Sequence, residues 1–263
     1  MIVEWLNPMG RNPSGFSFNV TNLQENRASV PTHAQLALLM IEAYWGTDYL
    51  SALADRAGRY GGWEAVRERF LQPRAGTQMA VRRGDFGEAV AAQYLKEVEQ
   101  YHIPVPKLRF KMAANQTLPG TDCIAFKLDN ARLVEVCYVE SKVRTSPDLS
   151  VAAAGAGQLR QDAETTTPES LTFVARYIRG INNPLAALVE EYIFSRNTEL
   201  DIFKLLVFHE NDAWDERILQ NLEDAEIGLE PLEVYVARIA NLAALSDAAF
   251  SALGASGVIE DDD

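Results

Sequence analysis

Three short stretches of this chain carry ionisable side chains in an order that phosphodiester chemistry can use. They are Gly84-Asp85-Phe86-Gly87-Glu88, Pro119-Gly120-Thr121-Asp122 and Glu140-Ser141-Lys142. Mg²⁺ is a hard cation that takes oxygen ligands and keeps several waters, so one or two carboxylates plus a substrate phosphate complete its shell. Asp122 and Glu140 are the residue types to supply those oxygens. A cation held there would polarise a phosphate and lower the pKa of a bound water. Lys142 would orient that water or offset charge developing on the phosphate. Glu88 is a further candidate, either as a third ligand or as the group that holds a metal-bound water.

Such chemistry requires elements that bring the residues together. Leu133 to Val139 is an apolar, β-branched run and reads as a buried strand, which Glu140-Ser141-Lys142 closes. Side chains alternate along a strand, so Glu140 and Lys142 share a face. Asp122 opens a second strand that runs to Leu128, and Asp129-Asn130 is a suitable two-residue hairpin turn. Folding that hairpin sets Asp122 across from Glu140. Phe86, Val90, Tyr94 and Leu95 recur at helical spacing and predict a helix over 85–101 that carries Glu88. A Glu-x-Lys triplet alone is common on solvated strand edges; the specificity lies in the order of all three stretches.

At these residues the chain resembles the PD-(D/E)XK nuclease superfamily. Gly120-Thr121-Asp122 matches that superfamily's aspartate position, although Pro119 stands two residues ahead of the usual place for the proline. Glu140-Ser141-Lys142 matches the (D/E)XK element, and Glu88 matches the acidic residue of the first core helix. Within the superfamily the wording is similar to the HamA family, the nuclease subunits of the two-component Hachiman anti-phage system. The resemblance covers about residues 80–165. It implies a restriction-endonuclease-like core, a mixed β-sheet flanked by helices, and DNA cleavage dependent on Mg²⁺ or Mn²⁺. Asp122, Glu140 and Glu88 would be the metal ligands and Lys142 a catalytic lysine. It also implies an anti-phage effector held in check by a helicase partner.

At 263 residues and 48% hydrophobic content the chain can bury a full α/β core. No segment approaches the ~20 consecutive apolar residues of a membrane span, and Met1 to Asn7 lacks the pattern of a signal peptide. Cys123 and Cys137 both fall in predicted buried strands, where they read as small core residues of a reduced, cytoplasmic protein. The net charge of −13 argues against a free-standing DNA binder. Its distribution is uneven: residues 73–180 hold 14 Lys and Arg against 12 Asp and Glu, whereas the remainder holds 10 against 25. Arg82, Arg83, Lys107, Arg109, Lys111, Lys127, Arg144 and Arg160 are candidates for a DNA track, each with a solvated rim as its alternative. An acidic remainder favours a protein partner that delivers the substrate.

The chain divides into an N-terminal loop and helical region, 1–72, and a nuclease-like domain, 73–263, that ends in the acidic tail Glu260 to Asp263. The first 30 residues read as loop with one short strand, and helices are predicted from His33 through Phe70. Tyr44, Trp45, Tyr49, Tyr60 and Trp63 in that unit read as core residues. In the second part a strand is expected over 107–112 and a helix of small residues from Ser150, close against the sheet. Helices at 169–179 and 184–195 follow, then a βαβ unit formed by Ile202–His209, Trp214–Leu222 and Leu232–Ile239. Gln158 could support the site from the small-residue helix, and His209 ends a strand near it. The three histidines are scattered, and neither a nucleophile elbow nor a P-loop is present, so an ATP-driven step would fall to another subunit. The reading that competes with an enzyme is a catalytically inactive nuclease-like DNA-binding or scaffold module.

Overall fold

The computed structural model describes residues 1–12, 15–46, 76–118, 120–164 and 169–253, with isolated positions between 49 and 65. In chain order the regular elements are α1 (Ile2–Trp5), β1 (Leu6–Asn12), β2 (Asn19–Glu25), α2 (His33–Tyr44) and α3 (Met79–Glu97). Next come β3 (Cys123–Asp129), β4 (Arg132–Arg144), α4 (Val151–Ala163), α5 (Glu169–Ile178) and α6 (Asn183–Ser195). The chain ends through β5 (Asp201–Glu210), α7 (Arg217–Asp224), β6 (Leu232–Ile239) and α8 (Leu242–Ala252).

The strands form one mixed sheet in the order β1-β2-β6-β5-β4-β3. β3 and β4 are the expected antiparallel hairpin, β4, β5, β6 and β2 run parallel to one another, and β1 is antiparallel to β2. The hairpin turn sits one residue later than its sequence suggested: Asp129 pairs with Arg132, and Asn130 and Ala131 both take positive φ, 46° and 61°. That is the left-handed pair which matches the twist of two joined strands.

Both sheet faces are covered, which gives a three-layer α/β/α fold. On one face α1, α2, α3 and α8 bury Trp5, Met40, Tyr44, Phe86, Tyr94 and Phe250 against Val139, Leu206 and Tyr235. On the other, α4 to α7 bury Leu159, Val174, Val189 and Ile218 against Tyr138, Leu205, Val207 and Val234. The expected βαβ unit is present, with β5 parallel to β6 and α7 between them.

Three expectations change. The described residues of the first 30 form two strands, a short helix and a 3₁₀ turn, and β2 joins the main sheet through β6. The strand expected over 107–112 is a 3₁₀ turn, Lys107–Phe110. Pro104 and Pro106 explain it, since proline has no N–H for a ladder and fixes φ. α3 begins at Met79 rather than near 85, because Asn115 accepts the backbone N–H groups of Thr77 and Gln78 through its Oδ1, at 2.9 and 3.0 Å. Tyr44 and Trp45 are buried as expected, whereas Tyr49 is exposed. Tyr60, Trp63, Val66, Phe70, Pro119 and the tail Glu260 to Asp263 lie outside the described residues. Among the described residues no helix is long and apolar enough to cross a membrane.

Candidate active site

The site lies where the sheet changes width. β3 pairs with β4 only as far as Cys123 opposite Val139, so β4 continues from Glu140 to Arg144 with β5 alone as its strand neighbour. Asp122 precedes the first rung, and its N–H still donates to the Val139 carbonyl at 3.0 Å. The hairpin thus delivers Asp122 beside Glu140, as the spacing of the two strands required. A cavity of about 360 Å³ opens there, and Glu88, Asp122, Glu140 and Lys142 all line it.

Each carboxylate is held differently. Asp122 Oδ2 accepts both the backbone N–H and the hydroxyl of Ser141, at 2.8 and 2.7 Å. Its Oδ1 lies 3.8 Å from Lys107 Nζ, which also donates to the Gly120 carbonyl at 2.8 Å. Glu140 is only 4% exposed and accepts from Lys142 Nζ at 2.6 Å. Burial and the neighbouring Asp122 charge push its pKa up to about 7 against the pull of Lys142. Lys142 Nζ also donates to Gln158 Oε1 from α4, so Gln158 joins the site. Glu88 makes no hydrogen bond or ion pair among the described residues. Burial first, and Asp122 second, hold its pKa well above the usual carboxylate range.

Two glycines set the distances. A Cβ on Gly87 would come within 2.5 Å of Val143 Cγ2, so this glycine lets α3 approach β4 and brings Glu88 to the cavity. A Cβ on Gly155 would meet Leu205 Cδ1 at 2.6 Å and Lys142 Cγ at 3.2 Å, so the small-residue helix α4 lies over the lysine stem. The expectation of close approach by this helix is met.

One part of the site had no counterpart in the sequence reading. Asp85, one turn before Glu88, accepts from Lys111 Nζ at 2.6 Å and from the Tyr44 hydroxyl, and all three side chains are buried. Burial raises the Asp85 pKa, and Lys111 and Tyr44 oppose the rise. Lys107 and Ser141 were likewise not assigned to the carboxylate centre, although Ser141 sits inside the Glu-Ser-Lys triplet that pointed to it. Lys107 and Lys111 line the cavity because the 3₁₀ turn projects them there.

The remaining basic candidates are largely committed elsewhere. Arg109 pairs with Glu42, Arg144 with Asp148, Arg160 with Glu164 and Lys127 with Glu135. Arg82 donates to the Gly76 carbonyl at 2.6 Å. Of this set Lys107, Lys111 and Arg144 border the cavity. His209 does not: it is fully buried beyond Val207, with its ring edge-on to Trp214. Cys123 and Cys137 are buried free thiols.

Among the described residues no three His, Cys, Asp or Glu side chains are gathered into a ready-made metal cage. The donor set nevertheless suits a Mg²⁺-type ion, which needs only one or two carboxylates. Asp122 and Glu140 face one cavity, and the charge of Asp122 raises the pKa of both Glu140 and Glu88, a crowding that a divalent cation would relieve.

Comparison with known proteins adds one result. The family model HamA matches residues 26–253. That span takes in the three motif stretches, all of α2 to β6 and α8. No curated protein matches the chain. The match over most of its length shows that the chain belongs to the HamA family, a component of the Hachiman anti-phage defence system.

Proposed function

We propose that the chain is a divalent-metal-dependent DNA endonuclease of the PD-(D/E)XK kind and acts as the effector of its defence system. The observation that carries this reading is the meeting of Asp122, Glu140, Lys142 and Glu88 around one cavity at the open end of β4. Asp122 and Glu140 would hold Mg²⁺ or Mn²⁺, with Glu88 as a third ligand or as the acceptor for a water on the ion. When bound, the ion would supply Lewis-acid polarisation of the phosphate and a more acidic water.

The chain's own residues supply the rest. Ser141 fixes one oxygen of Asp122, which leaves Oδ1 toward the cavity and Lys107. Lys142, tethered by Gln158, keeps its ammonium at the carboxylate of Glu140, where it can orient a water or meet phosphate charge. Lys107 adds positive charge to the cavity lining beside Asp122, and Lys111 lines it as the buried partner of Asp85. The acidic remainder of the chain supports a helicase partner that brings DNA to this cavity and restrains the cut until then.

The test is degradation of plasmid and of single-stranded circles by the purified chain with Mg²⁺, with chelator and as Glu140→Ala. Each arm is run with and without the helicase subunit of the system. Metal-dependent cleavage that Glu140→Ala loses supports the proposal. Cleavage by neither the chain nor its complex would leave the inactive DNA-binding module as the better reading.

A further inference from the structure

Next to the carboxylate cavity is a second pocket, of about 270 Å³, with walls of another kind. Val105, Phe110, Leu118, Ile124, Phe173 and Val174 make it largely apolar. The two cavities share Lys107, Leu118 and Asp122, so a group seated in the apolar one abuts the carboxylate centre.

Its rim is aromatic and exposed. Phe110 meets Phe173 and Tyr177 edge-to-face, with ring centroids 4.7 and 5.1 Å apart. Phe173 and Tyr177 are 44% and 37% exposed, which is unusual for large rings grouped together. Both project from α5, and Arg176 stands at helical neighbour spacing from Phe173. Arg176 is exposed and makes no hydrogen bond or ion pair among the described residues.

These features answer to one chemistry. A nucleobase offers a flat face for the aromatic rings, and its attached phosphates meet the exposed Arg176 guanidinium and the shared wall at Lys107. An apolar protein side chain would use the rings and leave Lys107 and Arg176 unmatched. The geometry points to a base-binding subsite: the pocket takes one unstacked nucleobase of the strand whose phosphate lies at Asp122 and Glu140. This rests on the nuclease reading above and names its substrate class. A base reaches the pocket only from single-stranded or locally opened nucleic acid, since a paired base is held inside the stack.

The test measures binding in chelator, so that it does not depend on cleavage. The full chain is titrated into a labelled oligothymidine and into an all-abasic oligomer of equal length, which keeps the phosphates and lacks the bases. The native chain is expected to prefer oligothymidine by roughly 5- to 150-fold, the range for loss of one aromatic–base stack. Phe173→Ala is expected to abolish that preference, Phe173→Trp to retain it, and Tyr177→Ala to shrink it; melting curves verify that each variant is folded. Equal binding of the two oligomers by the native chain would overturn the inference and assign the pocket to a protein side chain. An undiminished preference in folded Phe173→Ala and Tyr177→Ala would overturn it as well. A base preference in a chain that cleaves nothing would refute the nuclease reading and keep the subsite.

Discussion

Lys111 Nζ lies 2.6 Å from Asp85 Oδ2, inside the protein, with the lysine side chain 2% and the aspartate side chain 10% exposed. The pair ties the 3₁₀ turn to the helix that carries Glu88, and the Tyr44 hydroxyl brings α2 into the same contact. Removing one member of a buried ion pair leaves the other charge uncompensated, which is far more damaging than replacing both. Lys111→Met is therefore expected to destabilise the fold by about 3–5 kcal/mol. Lys111→Met with Asp85→Leu should recover much of that loss. Denaturant titration of the two single variants and the double variant checks it, and additive losses would show that the pair is not coupled.

Glu140 has its pKa raised from 4.5 to about 7 by burial and by Asp122. A group whose pKa is higher folded than unfolded binds more protons in the fold between those values. Its contribution to stability is complete below about pH 4.5 and declines as pH rises to about 7. In chelator, the native chain should lose stability relative to Glu140→Gln across that window and run parallel to it above. Thermal melts of both proteins from pH 4.5 to 8 test the slope. Adding Mg²⁺ at pH 8 should raise the melting temperature of the native chain and leave that of Glu140→Gln nearly unmoved.

Gly155 and Gly157 stand two residues apart in α4 and should respond to alanine with opposite signs. A Cβ at Gly157 meets nothing within 4 Å, so Gly157→Ala should stabilise the helix by about 0.5–1 kcal/mol. At Gly155 the new methyl would press on Leu205 and the Lys142 stem, both fixed in the packed layer, and overpacking of this kind costs about 1–3 kcal/mol. Gly155→Ala should also weaken DNA cleavage, because it displaces Lys142. Chemical denaturation and single-turnover rates on the two variants separate the effects.

Ser141→Ala removes the hydroxyl from Asp122 and keeps the backbone N–H. A hydrogen bond to a charged group contributes about 1.5–3 kcal/mol, and the partial exposure of Asp122 puts the expected loss at the lower end, about 1.5 kcal/mol. The Mg²⁺ concentration for half-maximal cleavage should rise, because Asp122 is then free to turn. Ser141→Thr, which retains the hydroxyl, should stay close to the native value.

Much of this arrangement was legible in the chain. The β-branched run ending in Glu140-Ser141-Lys142 and the strand opened by Asp122 announce themselves by local composition, and one turn suffices to bring them together. The βαβ unit was equally plain, since two apolar runs flank a helical pattern. What was hidden depends on partners far along the chain. β1 carries Pro8 and Gly10 and no clean alternation, so only pairing with β2 makes it a strand. The start of α3 is capped by Asn115, 37 and 38 residues away, and no local cap signals it. Lys111 looks like a surface lysine until Asp85 and Tyr44 close around it.

The short reach of β3 has a further consequence. A strand that outruns its neighbour offers bare rungs to any other strand, and proteins blunt such edges with charge. Here the Ser141 N–H, which would have bonded the next backbone carbonyl, is taken by the Asp122 side chain instead. Asp122 is thus an end-stop for the sheet, with Glu140 and Lys142 as charged guards on the same stretch. Asp122→Ala would uncap that edge and invite self-association of folded chains. Glu140→Gln leaves the end-stop in place, which makes it the sounder variant for work at high protein concentration.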